Sequence, residues 1–210
     1  MKNLQCVNMI NNLQKFLASF YERYLYTISE KRYFSMLEEI KLKKNAKIID
    51  VVCGTGRTLQ SFREHDYYNS IGIDVLKFQI EICMKKGFKI NKDIFLMNFL
   101  KNKFKNESFD LVFSEGLLEH YKNMKPFVKE MCRISKKYVL QLQPNYNLSG
   151  KPFLLVRNLY LKIFNTLPKF YEKQYNIKDY EKIFAKNNFK LINTKDLVLK
   201  SHYALLFERK

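Results

Sequence analysis

Several features that would assign a function directly are missing from this sequence of 210 residues. Its 4 cysteines stand singly, without a CxxC pair or a histidine at metal-ligand spacing, so neither a disulfide framework nor a metal site is indicated. No uncharged apolar run reaches the roughly 18 residues of a transmembrane helix, and the first residues lack the pattern of a signal peptide. We therefore expect a soluble, cytoplasmic protein that binds no metal.

Acidic residues are also scarce, with 20 against 38 lysines and arginines, which gives a formal net charge of +18. Such an excess attracts nucleic acids or anionic lipids. The lysines are spread along the whole chain among many Asn, Ile, Tyr and Phe residues, a pattern that a biased genome composition also produces. Charge alone therefore leaves nucleic acid open as a partner without favouring it.

From Ala46 onward, short apolar runs alternate with helical patterns, which is typical of a parallel sheet with crossover helices. The predicted strands are Lys47–Val52, Ser70–Asp74, Ile94–Met97, Phe109–Ser114 and Tyr138–Gln143, followed by Phe189–Leu199 and His202–Glu208. The predicted helices are Thr58–Glu64, Leu76–Lys86, Lys125–Ser135 and Lys178–Lys186. The last two strands are too close in sequence for a crossover, so we expect them to be antiparallel.

The length favours a single domain. We expect residues 1–45 to form a helical cover, with a capping box at Thr27–Glu30, and residues 46–145 to form the core. Residues 146–176 would form a substrate lid, in which 151–169 reads as a basic amphipathic helix that could also contact a membrane surface. A helix and a strand pair, 177–210, complete the chain.

The stretch "AKIIDVVCGTGRTLQSF" places two glycines between the first strand and a helix, where the backbone can approach a ligand closely. It lacks the GxxxxGK[ST] spacing of a phosphate-binding loop, and Leu59 stands where a dinucleotide fingerprint needs glycine. Asp50 would also repel a pyrophosphate. The same carboxylate favours S-adenosylmethionine, whose sulfonium and ammonium groups are cationic, and Asp74 in "SIGIDV" can accept hydrogen bonds from a ribose.

The motifs "IIDVVCGTGRTL", "GIDV" and "SFDLVFSEGLLEHY" resemble those of class I S-adenosylmethionine-dependent methyltransferases, especially the small-molecule group that includes quinone-biosynthesis enzymes. The resemblance covers about Ala46–Asn145, and the stretch "IKDYEKIFAKNNFKLI" shows a weaker similarity. It implies an α/β fold with a Rossmann-like, seven-stranded, mostly parallel sheet, an antiparallel last strand, helices on both faces and an N-terminal helical cover.

The resemblance also implies roles for individual residues. Asp50 and the backbone of Val52, Cys53, Gly54, Thr55 and Gly56 would hold the methionine moiety, Asp74 the ribose, and Val75, Asn98 and Phe99 the adenine, while Ser114, Glu115 and Gly116 would line the floor of the transfer site. The alternative for Asp74 or Asn98 alone is a cap or turn residue.

Two positions depart from the family pattern. Asn98 stands where an aspartate is usual, and its amide oxygen can still accept a hydrogen bond from adenine. Val52 stands where glycine is usual, and a β-branched residue disfavours a positive φ. We expect valine to be tolerated because the strand has not yet turned at residue 52. If it has, cofactor binding suffers, which keeps a non-catalytic scaffold open as an alternative.

Methyl transfer to a nucleophile requires mainly alignment, and a catalytic base is optional. His120 in "LLEHY" is the candidate base; the alternative is that it only packs with Glu119 beneath the floor loop. The sequence after the fourth strand reads "SEGL", without the NPPY-type motif of enzymes that methylate amides or base amino groups. The sequence therefore predicts a methyltransferase for a small apolar or aromatic acceptor, with an RNA methyltransferase and a scaffold protein as alternatives.

Overall fold

The computed structural model describes residues 26–145, 173–197, 200 and 202–210, and these residues contain one seven-stranded sheet. The strands are β1 (Ile48–Val51), β2 (Ser70–Asp74), β3 (Ile94–Leu96), β4 (Phe109–Glu115), β5 (Ser135–Pro144), β6 (Phe189–Asp196) and β7 (His202–Arg209). Their order is β3-β2-β1-β4-β5-β7-β6, and β7 is antiparallel to both of its neighbours while all other pairs that involve β1 to β5 are parallel. The predicted mixed sheet with an antiparallel last strand is confirmed.

Helices cover both faces of the sheet, also as predicted. They are α1 (Tyr26–Glu39), α2 (Arg57–Glu64), α3 (Lys77–Lys85), α4 (Lys125–Ile134) and α5 (Ile177–Ala185). On one face, Met131 of α4 and Phe184 of α5 pack in a core cluster with Val112. On the other, Leu37 of α1 and Phe62 of α2 belong to a second cluster. Because both faces are covered, central strands such as β1 are buried along their whole length, which explains their unbroken apolar runs.

The capping box predicted at Thr27–Glu30 is wrong, and the structure shows a capping box at a different helix. Helix α1 already includes Tyr26, so Thr27 lies inside the helix and is not its cap. A capping box does begin α5: the Asn176 side chain accepts from the Asp179 amide at 3.1 Å, and the Asp179 carboxylate accepts from the Asn176 amide at 2.9 Å. The segment 151–169 and most of the predicted lid lie outside the described residues.

Parallel pairing gives the sheet two distinct edges. At the carboxyl edge, β1, β2 and β4 end at Val51, Asp74 and Glu115; at the amino edge, the same strands begin at Ile48, Ser70 and Phe109. The chain runs outward from β1 to β3 and then returns to β4 on the other side of β1, so the carboxyl edge has a topological switch point between β1 and β4. Open α/β sheets bind ligands at such a point.

In the described ranges, no helix is long and apolar enough to cross a membrane. Nor do His, Cys, Asp and Glu side chains of these ranges form a group of three or more that could hold a metal ion.

Candidate active site

The loop between β1 and α2, residues 52–56, turns earlier than the sequence indicated. Val52 has a φ of 66°, in the left-handed region, as do Gly54 at 52° and Gly56 at 73°. The prediction that residue 52 is ordinary extended backbone was therefore wrong. The Cys53 amide donates to the Ile73 carbonyl of β2 at 2.9 Å, and this bond fixes the chain on the far side of the turn. The left-handed region costs a β-branched residue roughly 1–2 kcal/mol.

Asp50 contributes a buried carboxylate beneath this loop. It is only 2% exposed. Burial raises the pKa of Asp50 well above its usual range, and the carboxylates of Glu115 and Asp74 raise it further. An acidic group in this setting is stabilised by a cationic ligand, since a positive charge offsets the cost of desolvation.

One cation of the protein already lies nearby. Arg57, the first residue of α2, approaches Glu115 at the tip of β4 with 3.6 Å between Nη2 and Oε2. Its charge lowers the pKa of Asp50, but less than burial and the two carboxylates raise it. Two further carboxylates and one arginine thus act on Asp50, which leaves this part of the carboxyl edge with excess acidic charge and suited to a cation.

Asp74 ends β2 and holds two loops together. Its Oδ2 accepts a hydrogen bond from the Gly54 amide at 2.9 Å, and its Oδ1 accepts one from the Leu76 amide at 2.8 Å. Each oxygen keeps a second lone pair. The predicted contact with a ribose therefore coexists with a structural role that the sequence did not reveal.

Two thiols support the glycine loop from below. Cys83 of α3 donates from its sulfur to the Gly54 carbonyl at 3.2 Å, and Cys53 and Cys83 also hydrogen-bond to each other. This bond and burial raise the pKa of Cys53, whereas the bond from Cys53 lowers the pKa of Cys83. The sequence indicated only small apolar cysteines, because their proximity depends on how α3 packs.

An apolar cavity of about 60 Å³ lies beside the loop. Five predicted cofactor residues line it: Val52, Asp74, Val75, Asn98 and Phe99. Its other lining residues are Ile73, Met97, Leu117, Tyr121 and Phe127. Of these, sequence reasoning missed Met97, Leu117, Tyr121 and Phe127 as site residues; Met97 could have been found, since it directly follows β3. The volume is far below the roughly 300–1,000 Å³ of small-molecule sites, and the Val52 side chain occupies part of the space.

The remaining predicted residues lie at the carboxyl edge in different settings. The Asn98 side chain accepts from the Leu100 amide at 2.9 Å and so caps a short 3-10 turn, as in the alternative interpretation. Ser114 is fully buried, and its hydroxyl has no hydrogen-bond partner among the described residues. Gly116 has a φ of 66°. His120 is half-buried at the end of the next 3-10 turn, and its role as a base stays a prediction.

These residues fit S-adenosylmethionine by two observations. The Asp50 carboxylate lies buried beside two further acidic groups, as expected for the neighbour of a cationic ligand. A methyl group added at Gly54 would meet nothing within 4 Å, so the loop presents open space at this position. Asp50 and residues 52–56 would hold the methionine moiety and Asp74 the ribose.

Comparisons with known proteins agree with this fit. Residues 49–138 match the family model described as a methyltransferase domain. The chain is 28% identical over 101 residues to 24-methylenesterol C-methyltransferase 2 of Arabidopsis thaliana, covering 46% of this chain and 28% of that one. It is 29% identical over 150 residues to an uncharacterized protein of Methanocaldococcus jannaschii, MJ0638, covering 70% of this chain and 57% of that one. The chain thus spans less than two thirds of the length of either relative.

Solved structures share the fold at low sequence identity. Magnesium protoporphyrin IX methyltransferase from Synechocystis, crystallised with S-adenosylhomocysteine, has a TM-score of 0.65 at 16% identity and covers 86% of this chain and 82% of its own. The putative methyltransferase in a complex with the Haloferax volcanii activator Trm112 has a TM-score of 0.67 at 12% identity, covering 91% and 92%. A methyltransferase from Aquifex aeolicus has a TM-score of 0.64 at 15% identity, covering 91% and 93%.

The family match over residues 49–138 and the shared fold confirm the predicted resemblance. Residues 49–138 match a methyltransferase domain, and the chain has the fold of the class I S-adenosylmethionine-dependent methyltransferases.

Proposed function

We propose that this protein is an S-adenosylmethionine-dependent methyltransferase that acts on a small apolar or aromatic acceptor in the cytoplasm. The observation that carries the proposal is the Asp50 carboxylate, which is buried at the switch point of the sheet and flanked by two further acidic groups. A buried charge in this setting is costly unless a ligand compensates it. A cytoplasmic location agrees with Cys53, Cys83 and Cys132, which are buried and free.

The bound cofactor would supply an electrophilic methyl group on a positively charged sulfur. The residues of the chain would hold and orient both reactants, because an in-line displacement depends mainly on alignment. The apolar side chains of Leu117, Tyr121 and Phe127 beside the cavity exclude water and favour an apolar acceptor. Ser114 and Gly116 would position a polar acceptor, and His120 would remove its proton.

Calorimetric titration tests the cofactor assignment. Wild-type protein should bind S-adenosylmethionine more tightly than neutral S-adenosylhomocysteine, because only the former carries the sulfonium charge near Asp50. Asp50→Asn should remove this preference while its circular dichroism spectrum stays unchanged. Gln60→Glu, at an exposed position of α2, is the control and should leave both affinities unchanged. Equal affinities of wild type and Asp50→Asn for both ligands would contradict the proposal.

A second candidate is a scaffold protein with a weakened cofactor site. It is favoured by the left-handed Val52, whose side chain lines a cavity of about 60 Å³. On this hypothesis Val52→Gly should raise the affinity for S-adenosylmethionine tenfold or more and the wild type should bind weakly. A change below threefold, with clear binding by the wild type, would favour the enzyme.

A further inference from the structure

A second cavity lies at the amino edge, at the opposite ends of the strands from the candidate active site. Its volume is about 360 Å³, which is in the range of small-ligand sites. Its apolar lining includes Leu42 and the buried Tyr138, and its polar lining includes Lys41, Lys43, Lys136 and Lys137. The loop after α1 and the first residues of β5 form it together, which gives an apolar floor with a basic rim.

The rim has a positive charge that the described residues only partly balance. Lys136 lies 3.8 Å from Asp110, and Lys137 lies 3.6 Å from Glu208. No acidic side chain of the described residues pairs with Lys41 or Lys43. All four lysines are exposed, so the rim can take up several negative charges at a low cost of desolvation.

An exposed aromatic ring continues this surface. Tyr68, in the turn before β2, is 68% exposed, the highest exposure among the large hydrophobic side chains described. Its neighbour Asn69 donates to the carbonyl of Asn45 at 3.3 Å, and Asn45 lines the cavity. Tyr68 is thus one residue away from a contact with the cavity lining, and its hydroxyl donates to Asp66 at 3.1 Å. Bases of a single strand stack on exposed aromatic rings that lie near basic side chains.

We infer that this surface of the amino edge, formed by Tyr68, Asn45 and the four cavity lysines, binds single-stranded nucleic acid. The lysines contact backbone phosphates, the cavity admits one base, and Tyr68 stacks on another. A lipid surface would need exposed apolar side chains among the lysines. Apart from Tyr68, the exposed large hydrophobic side chains lie elsewhere, for example Phe78 and Met84 on α3 and Leu96 on β3.

This surface is separate from the site of methyl transfer. Asp110 borders the cavity at the start of β4, and Glu115 lies at its other end, about 16 Å away at the rise of a strand. A nucleic acid bound at the amino edge is therefore held at a distance from the transfer site, and the nucleotides that contact this surface are not methylated there. The inference does not depend on the proposed activity.

Fluorescence anisotropy with a labelled oligouridylate of about ten nucleotides tests the inference without cofactor. If four phosphates are neutralised, the association constant should fall about 50-fold between roughly 50 and 200 mM salt. Replacing Lys41 and Lys43 together by glutamate should weaken binding at least about tenfold at the lower salt. The matched control replaces Lys85 and Lys101, both exposed and outside the surface, and should change binding less than about twofold.

A second pair of variants tests stacking. Tyr68→Ala should weaken binding about fivefold or more, whereas Phe78→Ala, which removes another exposed ring, should have no effect. Titration of each variant with S-adenosylmethionine should give wild-type affinity, which separates this inference from the proposed function. An equal loss in both lysine double variants, or tighter lysine-dependent binding to phosphatidylserine vesicles than to the oligonucleotide, would overturn it.

Discussion

The two edges of the sheet differ in the sign and in the burial of their charged side chains. At the carboxyl edge, the Asp50 and Asp74 carboxylates are each only 2% exposed, and three residues of one short loop have a positive φ. At the amino edge, lysines lie exposed around a cavity of about 360 Å³. A buried charge is costly and must be compensated by backbone amides or a ligand, whereas an exposed charge costs little. Substitutions at the two edges should therefore differ in their effect on stability.

The largest effect is expected for Asp74→Ala. It removes both hydrogen bonds that the carboxylate accepts, from Gly54 and Leu76, and hydrogen bonds to a charged group contribute about 1.5–3 kcal/mol each. We expect the free energy of unfolding, measured in urea, to fall by about 3 kcal/mol and cofactor binding to weaken as well. Asp74→Asn keeps one acceptor and should lose about half as much. A loss below about 0.5 kcal/mol in the alanine variant would show that these bonds do not hold the edge together.

Asp50 should make the free energy of unfolding decrease as pH rises. Because its folded pKa is raised, the folded protein keeps a proton that the unfolded chain releases above about pH 4. Its contribution to stability is therefore lost as pH rises toward the folded pKa, by about 1.4 kcal/mol for each unit of pKa difference. Asp50→Asn lacks this dependence, so its stability relative to wild type should improve between pH 5 and pH 8. Parallel stability curves of the two proteins would contradict the raised pKa.

Val52→Gly should stabilise the protein slightly. Relief of the left-handed strain is worth about 1–2 kcal/mol, against a loss of about 1 kcal/mol for the half-buried side chain, so we expect a net gain of about 0–1 kcal/mol in the free energy of unfolding, measured in urea. Val51→Gly is the matched control, because Val51 is fully buried in β1 and should lose at least about 2 kcal/mol. A loss in Val52→Gly as large as in the control would show that packing outweighs strain at residue 52.

The smallest effect on stability is expected at the amino edge. Replacement of Lys41 and Lys43 by glutamate should change the free energy of unfolding by less than about 0.5 kcal/mol, since both side chains are exposed and unpaired among the described residues. The melting curve of the double variant should therefore overlay that of the wild type. A larger shift would mean that replacing charged residues affects the free energy of unfolding at the amino edge as much as at the carboxyl edge.

Much of the fold could be predicted from the sequence because it is encoded locally. The apolar run before Gly54 and the alternation of strands with amphipathic helices predict a parallel sheet, and the predicted and observed strand ends agree closely, as at Ser70–Asp74. The same pattern placed Asp50 near the end of the first strand and Asp74 at the end of the second, as observed. The Asn176 capping box was missed, although its two residues are only three positions apart in the sequence.

Only the tertiary structure decided the conformation and environment of these residues. The turn at Val52 depends on the bond from Cys53 to β2, and the raised pKa of Asp50 depends on burial beside Glu115, distant in sequence. Both cavities are lined by segments that are distant in sequence; Lys43 and Lys137, for example, line the same cavity. A sequence specifies which residues end a strand, but φ, burial and cavity shape arise from contacts between elements, so only packing could reveal that valine is strained here and that lysines surround a cavity.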